Sequence, residues 1–149
     1  MTEFFAFEAD FVDSLRCIPM QVRYKLDTCG IKLKLSAWHE MTTDERESLV
    51  TLPCSTPAEI QAYQDYVEQL ILARTNIPAS KLLIEPHPPW LNPNIPETVQ
   101  EKAQSIGVTI TGEQWLALTP LQRFALIKLS RSGHENKNFP HAMAEFGLV

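Results

Sequence analysis

The chain has 149 residues, 44% of them hydrophobic and 21% charged, with a net charge of −5. This is one domain's length, with enough apolar content for a core without staples, and the acidic balance excludes the basic chemistry expected of a nucleic-acid or anionic-membrane binder. No apolar stretch approaches the ~20 residues of a membrane span, the first residues lack a secretory pattern, and three cysteines without a C-x-x-C pair make no disulfide framework, so a cytoplasmic, reduced protein is expected.

Ile18-Pro19 opens the first predicted helix, since proline suits a first turn where its missing N–H would have no partner anyway. Val22, Leu26 and Cys29 follow at helical spacing, and Gly30 stands where a left-handed residue closes a helix. Ile31 to Leu35 alternates with the period of a strand. Trp38 belongs on a short helix, and Thr42-Thr43-Asp44-Glu45 fits a capping box that starts another over about residues 43–52. Ser55-Thr56-Pro57-Ala58-Glu59 signals the next start, with Ile60, Tyr63, Val67, Leu70 and Ile71 as its apolar stripe to about Arg74.

From Ile84 to Pro96 the chain carries five prolines around Trp90 and Leu91. Proline at this density excludes an α-helix and favours a stiff, extended connector, which the two apolar residues should hold against the body. From Ile95 the first pattern returns. Slid by 77 residues, Ile18–Leu52 matches Ile95–Leu129 without a gap at ten of 35 positions, among them Pro19/Pro96, Lys25/Lys102, Gly30/Gly107, Trp38/Trp115, Thr42/Thr119 and Arg46/Arg123. Unrelated chains would match at roughly two. The reading is an internal duplication: one supersecondary unit used twice, each copy covering the other's apolar face. Helices are expected again near Val99 and over about 120–131, and Phe139 to Phe146 forms a last one with Phe139 and Phe146 inward.

The expected fold is therefore mainly α, one pseudo-two-fold domain over residues 1–149. Its first repeat runs over about 18–75, the connector over about 76–94 and the second repeat over about 95–147. The strand-like segments of the two copies, Ile31–Leu35 and Val108–Thr111, are expected to pair as a short ribbon. Trp38 and Trp115 are read as core anchors.

Charge is uneven. Residues 16–34 carry a local balance of +4 and residues 40–68 one of −6, a polarity suited to steering a charged partner. Two surfaces become candidates for partner binding: Arg16, Arg23 and Lys25 beside Asp27, and the polar run after the apolar helix, with Arg131, His134, Glu135, Asn136 and Lys137. No catalytic motif is present: no G-x-S-x-G, no phosphate loop, no H-E-x-x-H. Cys17, Cys29 and Cys54 are spaced by 12 and 25 residues, which gives no support to a metal site, and no metal is assigned.

Longer segments carry a family likeness. Phe5-x-Phe7-Glu8-x-Asp10-Phe11-Val12-x-Ser14-Leu15-Arg16-Cys17-Ile18-Pro19-Met20-x-Val22-Arg23 continues through Lys25-Leu26-Asp27 and Gly30-Ile31-Lys32-Leu33. With Trp115-x-x-Leu118-Thr119-Pro120-Leu121-Gln122-Arg123-Phe124 and Leu129-Ser130-Arg131-Ser132-Gly133-His134-Glu135-Asn136, it resembles the nitrate reductase-associated protein family of cyanobacteria. The resemblance implies a non-catalytic accessory factor that the assimilatory nitrate reductase needs to become or remain active. That enzyme carries a molybdenum pterin cofactor and an iron–sulfur cluster and draws electrons from ferredoxin. The implied partner is the nitrate reductase polypeptide, and no cofactor is expected on the chain itself. The alternative is a carrier that delivers molybdenum cofactor, a cluster or a metal through Cys17 and Cys54.

Overall fold

A computed structural model describes residues 4–8, 15–131 and 138–149. Among these residues the protein is mainly helical, with eight α-helices and one two-stranded antiparallel sheet. It divides into two compact units, one built on Glu8–Ile84 and the other on Phe5–Phe7 with Glu85–Val149.

The first unit contains α1 (Met20–Cys29), β1 (Ile31–Lys32), α2 (Leu35–Glu40), α3 (Thr43–Thr51), α4 (Pro57–Thr75) and β2 (Ser80–Lys81). Pro19 has no side-chain donor or acceptor with which to cap α1. The buried Glu8 carboxylate takes that role from twelve residues upstream, accepting the Met20 N–H at 2.9 Å. Gly30 closes α1 in the left-handed conformation, φ 79°, and its N–H returns to Leu26 O. Capping boxes start α3 (Thr42 with Glu45) and α4 (Thr56 with Glu59), as the sequence indicates. α4 is the unit's longest helix; α1 and α2 pack on it through Tyr63, Val67, Leu70 and Ile71, all buried.

The ribbon has a different partner from the one expected. β1 pairs antiparallel with β2, Ile31 opposite Lys81 and Lys32 opposite Ser80, and Leu82 N–H donates to Gly30 O. The segment Val108–Thr111 forms no strand. There the Gln100 side chain does the work of a neighbouring strand: its amide donates to Ile110 O and its carbonyl accepts the Ile110 N–H, at 2.8 and 2.9 Å. Arg23 stands at the matching position of the first unit and has no such two-way amide.

The second unit contains α5 (Glu97–Ser105), α6 (Gly112–Ala117), α7 (Pro120–Arg131) and α8 (Asn138–Glu145). The proline-rich connector makes one 3-10 turn, Pro89–Leu91, which seats Trp90 edge-on against Phe124 with 5.0 Å between ring centroids. Leu91 stays exposed. α7 is the hub, packing on α5, α8 and that turn. Phe139 is buried, and Phe146 meets Phe5 and Phe7 in a three-ring cluster. The Glu145 carboxylate accepts the Ala6 and Phe7 N–H groups beside it.

The helix closures differ in their surroundings. Gly107 adopts φ 81°, close to Gly30, yet a Cβ there would meet nothing within 4 Å. At Gly30 a Cβ would lie 2.7 Å from Ile84 Cγ1 and 3.1 Å from Leu82 O, because β2 runs across that turn. Gly107→Ala should therefore cost only the left-handed penalty, about 1 kcal/mol. Gly30→Ala should cost about 2 kcal/mol or more, since steric conflict adds to the same penalty. Urea unfolding of the two variants checks the order, and equal losses would contradict it.

Candidate functional site

The strongest side-chain arrangement in each unit is an arginine folded back onto the short helix that precedes its own. Arg46, on α3, donates from Nε to Trp38 O (3.0 Å), from Nη2 to His39 O (3.0 Å) and from Nη1 to Leu15 O (3.4 Å). Arg123, on α7, donates from Nε to Trp115 O (3.0 Å), from Nη2 to Leu116 O (3.1 Å) and from Nη1 to Trp90 O (3.2 Å). The carbonyls of Trp38, His39, Trp115 and Leu116 lie in last helical turns, where the regular i→i−4 ladder has ended; Trp38 O and Trp115 O also accept from the cap N–H groups of Met41 and Leu118. Each guanidinium also sits over its tryptophan ring, 5.8 Å from the Trp38 centroid and 5.7 Å from that of Trp115. The indole N–H groups donate to Leu15 O (2.8 Å) and Asn92 O (3.0 Å), positions 77 residues apart like the tryptophans themselves. Trp38 and Trp115 are fully buried.

Each clamp commits three of the five guanidinium N–H donors to backbone carbonyls of its own unit. The sequence shows the Trp-x7-Arg spacing in both halves, and that spacing is the signal for the contact, although nothing in it names carbonyls as the target.

The residues proposed from sequence fare differently from one another. Lys25 is committed to the interior of its unit: Nζ donates to Val50 O (2.6 Å) and Leu52 O (2.7 Å) at the end of α3 and lies 5.8 Å from the Tyr63 ring centroid. Burial pushes its ammonium below the ordinary lysine range, with the Cys54 thiolate form acting the other way. Arg16 is exposed, and its carbonyl accepts from His39 Nε2 at 2.8 Å. Arg23 and Asp27 are half-buried on α1. Arg131 is exposed as the last residue of α7, whereas His134, Glu135, Asn136 and Lys137 lie outside the described residues.

Two of the three cysteines point inward. Cys29 is fully buried, its Sγ 3.6 Å from Leu26 O; Cys54 is buried, its Sγ 3.7 Å from Lys25 O. Burial, reinforced by mutual repulsion of their thiolate forms, pushes Cys29 up to about 12, and burial pushes Cys54 up to about 11 against the pull of Lys25. Both are neutral thiols near pH 7, poorly suited to hold a metal as thiolates. Cys17 is half-buried.

Lys32 and Lys34 stand outside the candidate residues that the sequence singles out. They stand two apart along the extended chain, on the face opposite the buried Ile31, and both are exposed. Neither ammonium group has a hydrogen bond or ion pair among the described residues. Together with Ser36, Thr75 and Ser80 they edge a groove of about 180 Å³ whose apolar lining includes Ala37, Ile71 and Ile77. A second hollow, of about 390 Å³, lies between the end of α3 and α4 beside Leu52 and Tyr66; the Tyr63 hydroxyl that borders it is turned inward to Leu49 O at 2.7 Å.

A small, mainly helical scaffold with internally satisfied polar anchors and a cationic groove defines the class. The chain belongs to the conserved nitrate reductase-associated protein family, whose model matches residues 4–146. No curated protein and no solved structure matches it. Among the described residues, no helix is long and apolar enough to cross a membrane.

Lysine cannot reproduce the guanidinium fork, so Arg46→Lys and Arg123→Lys should each destabilise by about 2 kcal/mol in urea unfolding. A loss below about 0.5 kcal/mol would show that the clamp is not a stability element. In native protein at pH 8, iodoacetamide should modify Cys17 well before Cys29 and Cys54. Both inner thiols ionise higher when folded, so their contribution is present below about pH 9 and is lost as pH rises toward 11 to 12. Peptide mapping and a pH series of unfolding curves read these outcomes.

Proposed function

We propose that this protein is a non-catalytic accessory factor that binds the assimilatory nitrate reductase polypeptide and supports its maturation or its active state. The observation that carries this reading is the family match over residues 4–146, which spans both units. The disposition of the polar side chains agrees with it. Arg46, Arg123 and Lys25 hold backbone carbonyls within their units, while Arg16, Lys32, Lys34 and Arg131 are exposed. Units braced from within and carrying exposed cations suit recognition of a protein surface. The carrier alternative through Cys17 and Cys54 is disfavoured by the Cys54 thiol, which is buried, hydrogen-bonded inward and hard to ionise. This reading entails a cytoplasmic protein, without a cofactor of its own, in contact with its enzyme partner.

Gel filtration of the protein mixed with purified nitrate reductase, once cofactor-free and once complete, tests it. Co-elution with the cofactor-free form alone would identify a maturation factor, and co-elution with both a standing partner. Failure to co-elute with either, together with full nitrate reductase activity in cells lacking the protein, would overturn the reading.

A further inference from the structure

We infer that the groove between β1, α2 and the end of α4 is a docking site for an acidic polypeptide segment that carries one apolar side chain. The inference rests on the accessory, partner-binding reading and adds the surface and the partner's chemistry to it.

Three observations converge. The groove is edged by two exposed cations, Lys32 and Lys34, that have no partner among the described residues. Four other cations of the first unit are engaged, Lys25 at the carbonyls that end α3, Arg46 on the Trp38 turn, Arg74 on Glu45 and Lys81 on Glu68, while Arg16 is exposed but does not line the groove. In a chain of net charge −5, two unengaged ammonium groups at one small concavity are a local reversal of sign. The cations also have a fixed relation. They follow Ile31, which β2 and the buried face of the unit hold in place, so both project to the same side at a spacing of about 7 Å. That spacing suits two carboxylates two residues apart along a bound extended segment.

The floor supplies the apolar half of the specificity. Ala37, Ile71, Pro78 and Ala79 line it, and Ile77 stands on the rim with 66% of its surface exposed. A space of about 180 Å³ is close to the ~150 Å³ that accepts a benzene ring, and so takes one leucine-sized side chain. Ser36 and Ser80 add hydroxyls at the edge. An anion without an apolar part would leave the floor wet, and an apolar segment without acids would leave the lysines unmatched; a segment with both satisfies both.

The test uses the full chain and two ligands: a dye-labelled peptide with a central leucine flanked by glutamates, read by fluorescence anisotropy, and cofactor-free nitrate reductase, read by co-elution. Lys32→Glu with Lys34→Glu should weaken peptide binding at least tenfold and reduce co-elution. Lys102→Glu with Thr98→Glu and Gln104→Glu carries the same charge change on the second unit and should leave peptide affinity within about twofold. Ile77→Asn should also weaken the peptide, by removing apolar contact without changing charge. Circular dichroism confirms folding; every substituted site is at least partly exposed, so the variants should retain their helices. Equal effects of the two sets of charge changes, or unchanged co-elution after reversal at Lys32 and Lys34 while the enzyme still binds, would overturn the groove and leave the accessory reading standing. Peptide binding that depends on the groove, with no co-elution of the unaltered chain with cofactor-free or complete enzyme and full nitrate reductase activity in cells lacking the protein, would support the groove and overturn the accessory reading.

Discussion

Each unit depends on one arginine capping a helix other than its own. Helices α2 and α6 are six residues long, too short to be stable by their own hydrogen bonds. Their final carbonyls face Arg46 and Arg123, and a guanidinium can satisfy several carbonyls from one rigid plane. Because the same arginine reaches the chain just before the unit's first long helix, at Leu15 O or Trp90 O, it fixes three segments at once. The tryptophan beneath it is locked at both ends: its carbonyl by the arginine, its indole N–H by Leu15 O or Asn92 O. A buried tryptophan with an unsatisfied N–H would be costly, so clamp and core stand together.

The same clamp tolerates different neighbours. Beyond Gly30 the chain continues as β1 and takes β2 as its partner; beyond Gly107 it is held instead by the Gln100 amide. The consequence is visible at the preceding residue. Cys29 is fully buried, whereas Ile106, its match at an offset of 77, is 38% exposed. In the first unit Gln64 of α4 donates to Cys29 O and α4 covers the end of α1. In the second unit the last helix, α8, spans eight residues where α4 spans nineteen, and it packs on α7. The closing turn is thus alike in the two units, and what lies over it is decided by the length and packing of a later helix.

This also explains what could be read from the chain in advance. Helix starts were legible because capping is local: Thr42 with Glu45, and Thr119 with Gln122, are three residues apart and need no tertiary information. The glycine closures were legible for the same reason. The strand partner was not, because Ile31 and Ser80 are far apart in sequence and two-residue strands carry almost no period of their own. Glu8 as the cap of α1 was hidden similarly: a proline at the cap position says that a donor or acceptor is missing, not where its substitute comes from. Among the candidate site residues, Arg16 and Arg131 are exposed, whereas the Lys25 ammonium is held by carbonyls that only the folded end of α3 presents.

Net charge over a segment is therefore a weaker guide to a binding surface than the fate of each cation. The run from Arg16 to Lys34 reads as one basic patch in sequence, yet the backbone sorts it. On α1, Lys25 faces the end of α3 and its half-buried ammonium replaces missing N–H donors at a helix end. On the extended chain after Gly30, alternation sends Ile31 inward and Lys32 outward, and Lys34 follows Lys32 to the same side. The residues that remain to meet a partner are those whose local geometry gives them no carbonyl to hold. In this protein that condition is met where the helix has just ended, so the glycine that closes α1 also determines which lysines are left to the surface.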